Sequence, residues 1–232
     1  MIGNSFKKIF KRNKVVIYTA IFGDYDDLKN PPEKLAKQCD FICFTDNKKI
    51  KSDKYKIVYC DKKELNNSKE SRRYKILPHL YLPSRYEYSI WVDASIKLNN
   101  FKINNFIEEY LGKDGVWAAF IHPERSCVYE ELEACLQRKK DDYYLMKNQI
   151  GEYEKEGYPK KNGLVANGFI LRKHNDPEVI RVSREWWKEV KKNSVRDQLS
   201  FCYVAWKKNF KFYIINDYLW DNKYFKVLGH KK

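Results

Sequence analysis

The 232-residue sequence has six cysteines but no C-x-x-C pair; they stand at Cys39, Cys43, Cys60, Cys127, Cys135 and Cys202. Structural zinc sites want tighter paired spacings, and Cys39 and Cys43 lie inside the apolar run CDFICF. Free, buried thiols in a reducing compartment are therefore expected. Glycine (9) and proline (7) are sparse and nowhere collect into a linker. With no internal repeat or low-complexity tract, a single domain is expected. The longest apolar run near the start, VVIYTAIF, is far too short to cross a bilayer. The opening MIGNSFKKIFKRNK carries charge without the apolar core of a signal peptide, so the expected compartment is cytoplasmic. Helix-turn-helix, RRM, KH and zinc-finger patterns are also missing. No nucleic-acid partner is expected, and a basic nucleic-acid-binding protein is kept only as an alternative.

What is present is apolar and strongly basic. Hydrophobic residues make up 43% and aromatics 16%, which places the chain among globular proteins. The formal net charge is +15, from 46 Lys+Arg against 31 Asp+Glu. Such a balance favours phosphate-bearing partners such as a nucleotide or an anionic membrane, unless it is only a solvated lysine-rich surface. Within residues 1–13, Ile2, Phe6, Ile9 and Phe10 recur at helical spacing among Lys7, Lys8, Lys11 and Arg12. A short basic amphipathic segment of this kind can lie on the inner face of a membrane, making the protein peripheral; a frayed, solvated terminus is the alternative.

From residue 14 to residue 232, strand-like and helix-like patterns alternate. The predicted strands cover 14–22, 40–46, 55–60, 88–95, 115–121, 164–172 and 210–216, and the predicted helices 68–80, 103–111, 129–155, 177–191 and 195–207. That order implies an α/β fold: one domain with a mostly parallel central sheet flanked by helices. Asp176-Pro177 reads as a helix N-cap followed by proline at the first helical position, and Glu156-Gly157 as a stop.

Ligands of open α/β sheets gather outside the carboxyl ends of the strands. Three predicted strands end in acids: TAIFGDYDD with Asp24, Asp26 and Asp27, FTDN with Asp46, and WVDAS with Asp93. By the two-residue period of a strand, Trp91, Asp93 and Ser95 share one face. Asp93 can hold a divalent cation or sugar hydroxyls, or it can merely cap a turn. Arg72 and Lys75 share a helix face suited to phosphate oxygens, although exposed cations are commonly only solvated. Behind the strand at 115–121 come His122, Arg125, Glu130 and Glu131, the acids equally explicable as first-turn partners of a helix dipole. Ser194 and Asp197 have capping-box spacing, which competes with any chemistry assigned to Asp197.

In order, TAIFGDYDDL, FTD, Arg72-x-x-Lys75, SIWVDASIKL, HPERSCVYEELEA, NQIGEYEKEG, NGFILRKH and SVRDQLSF resemble the glycosyltransferase-like domain family of plant mucilage-related and bacterial polysaccharide-cluster proteins. The resemblance spans about Val15 to about Tyr203. It implies a GT-A-like fold and transfer of a sugar from a nucleotide-sugar donor, UDP-linked, to a glycan or lipid-linked acceptor of a capsule or lipooligosaccharide. Carried over by position, it implies a nucleotide-facing loop with Thr19, Ala20, Phe22, Gly23 and Tyr25, a second at Asp46, and a diphosphate held by Arg72 and Lys75. Asp93 falls where many such enzymes keep a metal-binding Asp-x-Asp, but Ser95 takes the second acidic place. Mn²⁺ or Mg²⁺ held by Asp93, with His230 as a further ligand, and metal-free binding both stay open. Asp197, then Glu131 and Glu130, are the expected catalytic bases; Asn167, Gly168 and Gln198 would line the sugar pocket, with His122 and Arg125 nearby. A non-transferring glycan-binding module or a hydrolase on the same scaffold is the remaining alternative.

Overall fold

The computed structural model describes residues 13–60 and 65–229. The predicted basic segment at 1–13 (all but its last residue) and His230 lie outside them. Chain order is β1 Val15–Ile21, α1 Glu33–Ala36, β2 Asp40–Thr45, β3 Lys56–Tyr59, α2 Asn67–Ile76, α3 Pro78–Tyr81, β4 Tyr88–Val92, β5 Ile96–Leu98, α4 Ile103–Leu111 and β6 Trp117–Ile121. Then come α5 Val128–Gln137, α6 Tyr143–Lys155, β7 Val165–Arg172, α7 Pro177–Lys192, a 3-10 turn Asp197–Leu199, α8 Phe201–Lys207, β8 Tyr213–Ile215 and β9 Phe225–Val227.

The main sheet has seven strands in the order β3-β2-β1-β4-β7-β6-β8. Only β7 runs against its neighbours, so the sheet is mostly parallel, as the alternation of elements implies. Both faces are covered. Alternate residues of β1 divide between the two cores: Val16, Tyr18 and Ala20 pack on one side, Val15, Ile17 and Ile21 on the other. This is why β1 is buried along its whole length and reads as continuous apolar sequence rather than as an alternation. The first face carries Tyr74 and Ile76 of α2, Trp186 of α7 and Phe201 of α8. The second carries Leu35 of α1, Phe106 of α4 and the two-stranded β5–β9 ribbon through Leu98 and Phe225.

Punctuation explains the differences from the predicted helices. Pro78 follows a break at Leu77 (φ −111°, ψ 50°), dividing the predicted 68–80 helix into α2 and α3. The predicted 129–155 helix is likewise two: Lys139 turns left-handed (φ 47°), and Asp142 opens α6 by accepting the Leu145 N–H at 2.7 Å. The Asp176 cap forms, accepting from the Glu178 and Val179 N–H groups. The stop after α6 forms too, with Gly157 at φ 80°.

Because β7 is reversed, its beginning rather than its end lies beside the carboxyl ends of β1, β4 and β6. Its register against β6 jumps there: Ala119 pairs with Ile170 but Phe120 with Ala166. Asn167, Gly168 and Phe169 bulge out of the β6 ladder at this rim.

Candidate active site

A cavity of about 700 Å³ opens at that rim. β4 hands the chain into a turn, closed by the Ile96 N–H donating to the Asp93 carbonyl at 2.9 Å. The Asp93 N–H donates to the Gly168 carbonyl at 2.8 Å, tying the turn to the bulge of β7. Gly168 leaves room for the carboxylate: a Cβ there would stand 3.3 Å from Asp93 Oδ2 and press on it. Lys29 braces the turn from outside, donating to the Ala94 carbonyl at 2.7 Å and to Asp26 Oδ1 at 2.8 Å.

The Asp93 side chain keeps 30% of its surface. Trp91 Nε1, on the same strand face as expected, donates to Asp93 Oδ1 at 2.7 Å. Lys75 comes from the last turn of α2, its side chain only 1% exposed, and lies between two carboxylates: Asp197 Oδ2 at 2.6 Å and Asp93 Oδ1 at 3.5 Å. Its ammonium also sits 5.5 Å from the centre of the Trp91 ring. Arg72, one turn earlier on the helix, places Nε 3.4 Å from Asp197 Oδ1. Burial alone would raise the Asp197 carboxyl, yet Lys75, Arg72 and Arg196 beside it hold it below its ordinary value.

The capping box read at Ser194 does not form. Ser194 Oγ does bond back, accepting the Arg196 N–H at 3.1 Å while donating to Asp141 Oδ2 at 2.6 Å, but the Ser194 N–H, which Asp197 would have to receive, goes to Gln149 Oε1 at 3.2 Å. The Asp197 carboxylate is thereby left to face the two cations.

The opposite wall is built after β6. His122 Nδ1 accepts the N–H groups of Glu124 (3.2 Å) and Arg125 (3.0 Å), which folds the loop back on the ring. The imidazole is pushed down to about 4, first by burial and then by the Arg125 charge, so it is neutral near pH 7. Glu131 is buried between Arg125, whose Nε lies 2.5 Å from Oε2, and Arg196, whose Nη2 lies 4.0 Å from Oε1. Glu130 points elsewhere. It accepts the Ser126 N–H at 2.6 Å and the Ser126 hydroxyl at 3.0 Å, contacts that hold its carboxyl below the ordinary range, and it does not line the cavity.

Of the other residues singled out in the sequence, Ala20, Phe22 and Tyr25 line the cavity from the β1 side, and Ser95, Asn167, Gly168 and Gln198 from the rim. Asn167 is buried, and neither end of its amide has a partner among the described residues. Thr19 stays inside β1, behind the wall. Asp46 and Gly23 support the site from beneath: the Gly23 N–H donates to Asp46 Oδ1 at 2.8 Å, and Gly23 adopts φ 68°, where a Cβ would collide with Asn67. The sequence reading missed the wall formed by Leu219, Trp220 and Val227, which the β5–β9 ribbon and the Leu228 N–H to Ser95 carbonyl bond (2.7 Å) bring over the site. It also missed Arg196, whose only signal was its place beside Asp197.

Among the described residues no group of three His, Cys, Asp or Glu could hold a metal ion. Asp93 supplies one carboxylate, with Oδ1 occupied by Trp91 and an ammonium close by, and Asp197 is enclosed by cations. A divalent ion wants several oxygen ligands, so the donor set among the described residues does not by itself fit a resident one. No helix among the described residues is long and apolar enough to cross a membrane.

The family model described as TOD1/MUCI70, glycosyltransferase-like domain, matches residues 2–229, and the chain belongs to that family. No curated protein matches the sequence. Among solved structures, mouse xyloside xylosyltransferase 1 in its apo form is similar over 88% of this chain and 85% of that one, at 9% identity and a TM-score of 0.48.

Proposed function

We propose that this member of the glycosyltransferase-like family transfers a sugar from a nucleotide-sugar donor, UDP-linked, to a glycan or lipid-linked acceptor of a surface polysaccharide such as a capsule or lipooligosaccharide. The observation that carries the reading is the meeting, at one rim, of the half-buried Asp93 with Lys75, which shares its other partner, Asp197, with Arg72. When the bond from the anomeric carbon to the diphosphate breaks, its electron pair leaves on phosphate oxygen, and fixed cations facing that oxygen lower the barrier. Lys75 and Arg72 supply that charge from a helix end and are themselves held by Asp197. No step is routed through a metal. Asn167, with both amide ends available, suits a sugar hydroxyl, which donates and accepts at once.

Asp197 serves in this scheme as the anchor of the cations, since a carboxyl kept low by three positive neighbours is a weak proton acceptor. Glu131, enclosed by arginines, and Glu130, outside the cavity, are not assigned the base. The net charge of +15 suits the encounter with a phosphate-bearing donor and with acceptors at an anionic membrane.

A thermal-shift screen of nucleotide sugars, with Mn²⁺ and with EDTA, tests the reading, because a ligand that binds only the folded state raises its melting point. A nucleotide sugar should raise the melting temperature equally under both conditions, and Asp93→Asn should reduce the shift. No shift with any nucleotide sugar would overturn the assignment; a shift seen only with Mn²⁺ would overturn its metal-free form.

A further inference from the structure

Arg172 is wholly buried, at the end of β7 away from the cavity rim, and is flanked by aromatic rings: its guanidinium carbon lies 4.9 Å from the Trp117 ring centre and 5.9 Å from that of Tyr18. Burying a guanidinium is costly, and a methionine would fill comparable space without that cost. What methionine cannot supply is a charged donor. Arg172 Nη2 donates to the Tyr18 hydroxyl and to the backbone carbonyl of Lys75. The Tyr18 hydroxyl donates to the same carbonyl at 3.0 Å.

That carbonyl belongs to the last turn of α2, where carbonyls lose their intrahelical donors. The break at Leu77 and the absence of an N–H on Pro78 leave the turn to be closed from outside. Two donors from the sheet close it, and one carries the positive charge favoured at a helix C-terminus. The residue they grip is the one whose ammonium reaches Asp197 and Asp93. Tyr18 has a second link to the site: its ring meets Trp91 edge-on at 5.3 Å, and Trp91 donates to Asp93.

We propose that Arg172 and Tyr18 are positioning residues, a buried brace that fixes the main chain of Lys75 so that its ammonium stands at the donor diphosphate. The inference rests on the reading of the cavity as a nucleotide-sugar site. Neither residue lines the cavity; Arg172 and the Tyr18 hydroxyl act through Lys75.

The test is a double-mutant cycle on ligand affinity, with the full chain and calorimetry. Uridine, guanosine, thymidine and adenosine diphosphates are compared, and the tightest binder to wild type is the probe. Lys75→Met is expected to weaken it about thirtyfold, and Tyr18→Phe, which keeps the ring against Trp91, about five- to tenfold. The double variant should bind no more weakly than Lys75→Met alone, within about twofold, because the hydroxyl acts only through Lys75. Arg172→Lys, which still offers a charged donor, should retain more affinity than Arg172→Met; if the latter does not fold, the Tyr18 cycle decides alone.

Losses that multiply in the double variant would overturn the proposal. So would a Tyr18→Phe protein that melts lower yet binds the probe as wild type does, since that is a purely structural role. If no diphosphate binds wild type, or Lys75→Met binds as well as wild type, the reading of the cavity falls first and the inference with it.

Discussion

Asp93 and Glu131 each follow a strand of the same sheet, line the same cavity and have cations for neighbours, yet they are placed for different work. The Asp93 side chain keeps 30% of its surface and meets one ammonium at 3.5 Å. Glu131 keeps 2% and is enclosed by Arg125 and Arg196. A carboxylate with open surface and a distant cation can receive a ligand; one already neutralised from two sides is part of the wall. The same contrast separates Asp93 from Asp197. The count of acids near a strand end says little, and what is left over after internal pairing says much.

Several substitutions break or sharpen this contrast. Lys75→Met strikes the link between Asp93 and Asp197: it leaves Asp197 buried without its nearest cation, and breaking such a pair costs about 3–5 kcal/mol. Urea denaturation should show it, and an unchanged midpoint would mean that the pair does not form. Asp93→Asn should leave the melting temperature nearly unchanged and cut donor turnover at least about a hundredfold. Near wild-type turnover would remove Asp93 from the chemistry. Glu131→Gln should do the reverse, costing about 1–3 kcal/mol of stability through the two arginines left under-paired.

Acid separates the two sides of the cavity by window. His122 titrates at about 4 in the folded chain against an ordinary 6.5, so between those values the unfolded chain binds the extra proton. Stability contributed there is full above pH 6.5 and is lost as pH falls toward 4. The depressed Asp197 keeps its contribution above its ordinary 3.8 and loses it only below. In an NMR titration, the His122 ring should show no inflection between pH 8 and 5; one near 6.5 would mean that the ring is not buried. Smallest of all, Glu130→Gln should leave turnover within about twofold of wild type.

The long buried strands could be read because residues covered on both faces leave unbroken apolar runs, as VVIYTAI does. β5 and β9, three residues each, could not, because they exist only as a ribbon pairing Ile96–Leu98 with Phe225–Val227 across the chain. The break within 129–155 was announced by the charged stretch Arg138 to Asp142, which the helical pattern on either side obscured. In the site, Asp93, Arg72 and Lys75 stood out as polar groups beside apolar sequence. Tyr18 and Arg172 did not, since each lies within a strand and resembles ordinary core or edge. Whether Asp197 would bond back to the Ser194 N–H depended on Gln149, far away in sequence, taking that N–H first.

The bulge at Asn167–Phe169 frees three consecutive residues from pairing with β6 while β4 still holds the strand from its other side. Side chains released from ladder duty can drift in sequence without unravelling the sheet. Asn167 lines the cavity from such a place, whereas Gly168 is crowded by the Asp93 carboxylate. The lining of the cavity can thus change at position 167 while position 168 stays fixed.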